Sequence, residues 1–180
     1  MLSRRALLAL TMTILATPSR AGTLELAGTR HDGSRYDPAA VTGWKLVYFG
    51  YARCPDVCPV GLQTMSDAID RLRALGERVT PVFVTVDPER DTPSAMADYV
   101  AFFHPRMIGI SPSAEELASI AAAWRVKYVR VEIGEGRPYL MDHTASVFLV
   151  DARGELAARF PHDITADRMA ALIQKAFERR

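Results

Sequence analysis

Cys54 and Cys58 are the only cysteines in the 180-residue chain, and their spacing and surroundings carry its most distinctive chemistry. Each precedes a proline, Pro55 and Pro59. They lie where an apolar run, residues 46–51, gives way to a helical pattern from Pro59 to about Leu75, with Leu62, Met65, Ile69 and Leu72 on one face. Unpaired N–H groups at a helix start favour negative charge, so the position favours thiolate, and the neighbouring Arg53 pushes the same way. Four residues of helical spacing set Cα atoms about 6 Å apart, a separation a disulfide tolerates. The pair can therefore hold a soft metal when reduced, close when oxidised, or exchange with another disulfide. A purely structural disulfide is the plain alternative. So small a ring contributes only about 2 kcal/mol, and a chain with this much apolar residue needs no staple. The spacing is neither the two-residue spacing of thioredoxin-like redox sites nor half of a four-ligand zinc site.

Those thiols need a scaffold, and the rest of the pattern supplies one. Residues 46–51 read as a buried strand, and residues 79–86 as a second, parallel to it because a helix of suitable length joins them. Pro81 suggests that the second strand starts irregularly or at an edge. Thr92 and Pro93 cap and open a helix to about Phe103. Residues 107–110 form a short strand, and Ser113 with Glu116 makes a capping box for a helix through Trp124. Strands follow at 126–133 and 146–150, joined by a long polar connection, 134–144, that carries Asp142 and His143 just before the second. Asp151 to Gly154 turn the chain into a strand at 156–160, and a helix from about 165 to 177 buries Met169, Leu172, Ile173 and Phe177. With an N-terminal strand or hairpin near 24–38, this order gives an α/β fold: a mixed central sheet with helices on both faces. His31 and His162 read as solvated loop residues, His104 as structural at a helix C-terminus, and Asp87 as a turn residue.

Composition limits the function classes. The chain is 49% hydrophobic, with 22 Lys and Arg against 21 Asp and Glu, for a net charge of +1. Residues 1–21 have a basic start (Arg4, Arg5), an apolar centre from Ala6 to Ala16 and small residues before Ala21, the pattern of an export signal. Its removal takes away three arginines and no acid, leaving −2 on residues 22–180, which are of single-domain length. Nothing in that balance favours nucleic acid. The expectation is a domain in an oxidising compartment outside the cytoplasm.

Five segments in order resemble the Sco/SenC family of copper chaperones: Tyr48-Phe49-Gly50-Tyr51; Cys54-Pro55-Asp56-Val57-Cys58-Pro59; Val86-Asp87-Pro88-Glu89-Arg90-Asp91-Thr92-Pro93; Phe103-His104-Pro105-Arg106; and Asp142-His143-Thr144. The resemblance implies a thioredoxin-like fold and a copper site made by Cys54, Cys58 and His143. Two thiolates and an imidazole suit Cu(I), and Cu(II) with one more oxygen ligand. Asp142 is expected to orient or screen the site and Asp56 to be a solvated loop carboxylate. The partner implied is subunit II of cytochrome c oxidase, at its dinuclear copper (CuA) site, with another periplasmic copper chaperone or a thioredoxin-like reductase as further candidates. The rival function is a thiol-disulfide oxidoreductase or redox sensor working through Cys54 and Cys58, with His143 tuning the thiolates. Met141 and Arg53 depart from the family pattern without removing a proposed ligand.

Overall fold

A computed structural model describes residues 23–179. The export-signal expectation falls on residues outside that range, and among the described residues no helix is long and apolar enough to cross a membrane. Strand β2 (Trp44–Gly50) is apolar throughout except Lys45, and it lies at the centre of a six-stranded sheet. With β1 (Thr29–Arg30), β3 (Val79–Thr85), β4 (Ile108–Ser111), β7 (Val147–Val150) and β8 (Leu156–Phe160), the strand order is β1-β4-β3-β2-β7-β8. β2, β3 and β4 are parallel, whereas β1, β7 and β8 run antiparallel to their neighbours, so the sheet is mixed as expected. Pro81 sits in a regular strand. Its missing N–H is tolerated because β4 lies alongside only Val82–Val84, leaving Pro81 flanked by β2 alone.

Successive β2 side chains point to opposite faces, which decides where each helix packs. Tyr48 faces helix α1 (Val57–Arg71), and Trp44 packs on Phe177 of α4 (Ala166–Glu178) with ring centroids 4.9 Å apart. Helix α2 (Pro93–Phe103) covers the same side through the Phe83–Tyr99 contact at 5.5 Å. The opposite face is covered by α3 (Ala114–Trp124), whose Trp124 meets Phe49 at 5.3 Å and Phe148 at 5.5 Å. The caps read from sequence hold: Thr92 accepts from Ala95 N–H, and Ser113 and Glu116 close a full capping box.

Two local expectations are corrected. The stretch 126–133 holds only a short strand β5 (Tyr128–Val131), and the supposed long connection, 134–144, contains β6 (Leu140–His143). The two form a separate antiparallel ribbon that pairs Tyr128 with His143. The N-terminal strand is Thr29–Arg30, with Thr29 also bridging Arg35 across a turn, inside the stretch expected to form a strand or hairpin. His31 is half-buried, and its Nδ1 accepts from Gly109 N–H at 3.1 Å, so it is not simply solvated. His104 is buried and its Nδ1 accepts from Arg106 N–H at 3.0 Å; burial, with Arg106 nearby, lowers its pKa, so it serves the helix end as a neutral acceptor rather than a cation.

Candidate metal centre

The parallel β2–β3 pair sends the chain out at Gly50, at the carboxyl end of the central strand, where open α/β sheets place ligands. A tight turn follows, with Cys54 N–H donating to Tyr51 O at 3.1 Å, and α1 then starts at Val57. The helix begins two residues before Pro59, so Cys58 belongs to its first turn while Cys54 precedes it. Pro59 is compatible with that turn because N–H groups there have no intrahelical acceptor. His143 arrives from the other direction. β7 pairs Val147 with Tyr48, so the chain entering β7 passes beside the end of β2, and the last residue of β6 overhangs the cysteines.

The result is convergence from segments 85 residues apart. Cys58 Sγ lies 3.2 Å from His143 Nε2, and the two sulfurs and a ring nitrogen all lie within 4.8 Å of one another. Both cysteines are free thiols. A first-row ion held about 2.0 to 2.3 Å from each of three donors needs them roughly 3.5 to 4 Å apart, so the group needs little adjustment to take one. His143 Nδ1 lies 3.3 Å from Thr144 O, which can only accept. That contact suits a proton on Nδ1, the tautomer in which Nε2 is free to ligate a metal beside the sulfurs. The ring stands edge-on to Tyr48 and Tyr51, at centroid distances of 6.2 and 5.9 Å and near 90°.

The two thiols are unequal. Cys58 is fully buried, while Cys54 is 8% exposed and lines an open cleft of about 480 Å³ with Tyr51, Val131, Leu140, Asp142 and His143. Cys54 is held well below the ordinary thiol range, first by a hydrogen bond from the Cys58 thiol, against the opposing effect of burial, then by His143 and the N–H groups of Asp56 and Cys58. Cys58 is pushed up because it gives its proton to Cys54 and is buried. The pair thus holds one shared proton with the charge on Cys54. Because the folded-state pKa of Cys54 is lowered, its thiolate persists as pH falls below the usual value of about 8.5. Iodoacetamide should therefore modify Cys54 first and keep doing so at pH 6, whereas Cys58 should react only after unfolding. Peptide mapping by mass spectrometry checks the order; equal labelling of both sites at pH 6 would contradict it.

The other expected site residues sort differently. Asp142 is exposed and borders the cleft, but the His143 ring takes its partner from Thr144, so the orienting role expected for Asp142 falls to a backbone carbonyl. Asp56 is an exposed N-cap position without a side-chain cap bond, and Arg53 is exposed. It is the hydrogen bonds rather than Arg53 that lower Cys54. Asp87 is buried in a network described below, and His162 is exposed.

Sequence reasoning missed Asp91 and the tyrosines. Asp91, 1% exposed, accepts from Ala52 N–H at 2.8 Å and Thr85 Oγ1 at 2.7 Å, tying the cysteine turn to the end of β3. Burial pushes its carboxyl up. Tyr48, fully buried, has its phenol pushed up by burial and then by the nearby sulfurs, so it stays protonated, and its Oη donates to Val57 O at 3.5 Å. The signal for Tyr48 was an aromatic two residues before the thiol-bearing turn; Asp91, in a polar turn six residues past the end of β3, gave none.

Gly50 explains how the sulfur fits. A methyl group there would sit 2.8 Å from Cys58 Sγ and 3.1 Å from the rings of Phe83 and Tyr48. Gly50→Ala should lower stability by about 1 to 3 kcal/mol through overpacking and weaken metal binding as the sulfur is displaced. Chemical denaturation and metal titration of the same variant check both; wild-type values in both would show that the sulfur has room to move.

The chain is similar to known proteins in both sequence and fold. The family model described as SCO1/SenC matches residues 22–178. The human Protein SCO1 homolog, mitochondrial, is 36% identical over 148 residues, covering 81% of this chain and 49% of its own length. The chain spans between about a third and two thirds of the length of the curated relatives it matches. Among solved structures, Arabidopsis thaliana ScoI with copper bound superposes with a TM-score of 0.81 at 32% identity, covering 86% of this chain and 97% of that one. Bradyrhizobium japonicum ScoI with copper bound gives 0.75 at 32%, covering 84% and 96%.

Proposed function

The chain belongs to the SCO1/SenC family, and on that premise we propose that it is a periplasmic copper metallochaperone in which Cys54, Cys58 and His143 hold one copper ion. We assign residues 1–21 to an export signal and residues 22–180 to the thioredoxin-like copper-binding domain. The recipient in this reading is the dinuclear copper site of cytochrome c oxidase subunit II. The single observation that carries the reading is the meeting of two sulfurs and an imidazole nitrogen within 4.8 Å at the mouth of a cleft. Two relatives of known structure, each 32% identical, are structures with copper bound, which supports copper as the cargo here.

Loading follows from the proton arrangement. Cys54 brings its charge ready-made, and Cys58 must release its proton as its sulfur takes the metal, so affinity rises with pH until that proton is gone. Release works by ligand exchange. An incoming thiolate reaches the metal from the cleft, where Cys54 and His143 stand, and each bond it forms replaces one of theirs. Cys58, fully buried, is the last to let go.

The asymmetry of the thiols supports a second reading, thiol-disulfide exchange. Cys54 thiolate would attack a disulfide in the partner to form a mixed disulfide, and Cys58 would then displace the partner's second thiol, leaving a Cys54–Cys58 disulfide and a reduced partner. One mixing experiment separates the two. Copper-loaded protein is incubated with the reduced copper domain of subunit II, and reduced metal-free protein with the oxidised domain. The chaperone reading expects metal to move to the partner, with transfer impaired in His143→Ala. Metal that stays put, beside stoichiometric disulfide reduction unaffected by His143→Ala, would favour the reductase.

A further inference from the structure

The turn after β3 carries a polar motif that metal binding leaves without a role: Asp87, Arg90 and Asp91. Its side chains reach both halves of the site. Asp91 holds the cysteine turn through Ala52, as described. Asp87 and Arg90 hold the β5–β6 ribbon, which shares no strand pairing with the six-stranded sheet. The grip is on Tyr139, the residue immediately before β6.

Every contact there is specific. Arg90 Nε donates to the buried Asp87 carboxylate, whose other oxygen accepts from Tyr139 Oη at 2.8 Å. Arg90 Nη1 donates to Tyr139 O at 2.8 Å. The Arg90 guanidinium also lies 3.6 Å from the centre of the Tyr139 ring, and that of Arg130, on β5, 3.7 Å from the same centre. Two cations that close to one ring occupy its two faces. Arg90 is 15% exposed, and it also stands 5.7 Å from the Tyr51 ring, which flanks His143. At the far end of β6 the ribbon's own strands are closed by Thr144 N–H to Lys127 O at 2.9 Å and Lys127 N–H to Thr144 Oγ1 at 3.0 Å. His143 lies between that closure and the grip on Tyr139.

We propose that Arg90 is a positioning residue for His143: with Asp87 it clamps Tyr139, and the clamp holds the ribbon at the height that puts the imidazole over the two sulfurs. This rests on the ligand role proposed above for His143. The planar fork is essential, because two donors must meet a carboxylate and a carbonyl at once while the plane lies on an aromatic ring, a geometry lysine cannot supply.

The test uses the full chain with Arg90→Gln, Arg90→Lys and Tyr139→Phe, each alone and combined with His143→Ala. In metal-free protein, amide hydrogen exchange should speed up at residues 140–143 and remain at wild-type rates in β2. In Cu(I) competition titrations Arg90→Gln and Arg90→Lys should each weaken binding by about tenfold or more, the usual cost of losing a partner behind a ligand, and Tyr139→Phe by less. In the His143→Ala background Arg90→Gln should cost almost nothing further, because the ligand it positions is gone. An equal loss in both backgrounds would overturn the proposal by showing that Arg90 acts through general stability, as would unchanged exchange in the ribbon. If His143→Ala itself left copper binding intact, the ligand assignment would fail, whereas a wild-type His143 effect without an Arg90 effect would sink the clamp alone.

Discussion

Cys58→Ala should leave a folded protein that no longer holds copper under conditions where the wild type binds one ion per chain. The sulfur is fully buried and is 3.2 Å from His143 Nε2, so no neighbouring group can replace it as a donor. Removing a single sulfur from a packed site costs roughly 1 kcal/mol of stability, which a domain with this core can absorb. The loss in affinity should exceed the roughly 10- to 100-fold cost of disturbing a residue behind a ligand, since a donor itself disappears. Cys54→Ala should lose binding as completely, and should also abolish alkylation at low pH. Competition with a Cu(I) chelator measures the affinities. Retention of wild-type affinity by either variant would show that the metal does not use both sulfurs.

His143→Ala has the second-largest expected effect and a different signature. Two thiolates alone can still hold Cu(I), because linear two-sulfur coordination suits a soft ion, so Cu(I) binding should weaken by about 100-fold or less and persist. Cu(II) should fare worse. Without the nitrogen donor, two Cu(II) ions each take one electron from the dithiol, leaving a Cys54–Cys58 disulfide and two Cu(I), with the Cys58 proton released. The sulfur-to-copper charge-transfer bands expected of the wild-type protein should then be absent or fade within the experiment. Stable bands of wild-type intensity in His143→Ala would contradict the assignment.

Much of this site was legible in the linear chain because its determinants are local. The cysteine turn follows an uninterrupted apolar strand, and the caps at Thr92 and at Ser113 with Glu116 are side-chain chemistry within one turn of a helix. The ribbon that carries His143 was harder. Leu140 to His143 is half-exposed, with no alternating apolar pattern, and its strand character comes from pairing with β5, which Gly134 and Gly136 separate from it by a polar turn. Asp91 was invisible for another reason: a buried carboxylate that accepts from a backbone N–H 39 residues away looks like any turn aspartate until the turn is folded against it. His104 was readable as structural from its place at a helix end, and burial adds that the ring is a neutral acceptor there.

The proposed function requires both sulfurs and the imidazole to bind one and the same ion. X-ray absorption on reduced protein loaded with one equivalent of Cu(I) reads the donors themselves. The shell should hold two sulfurs and one nitrogen, and two sulfurs alone in His143→Ala. A wild-type shell without nitrogen, or a nitrogen contribution that survives in His143→Ala, would contradict it.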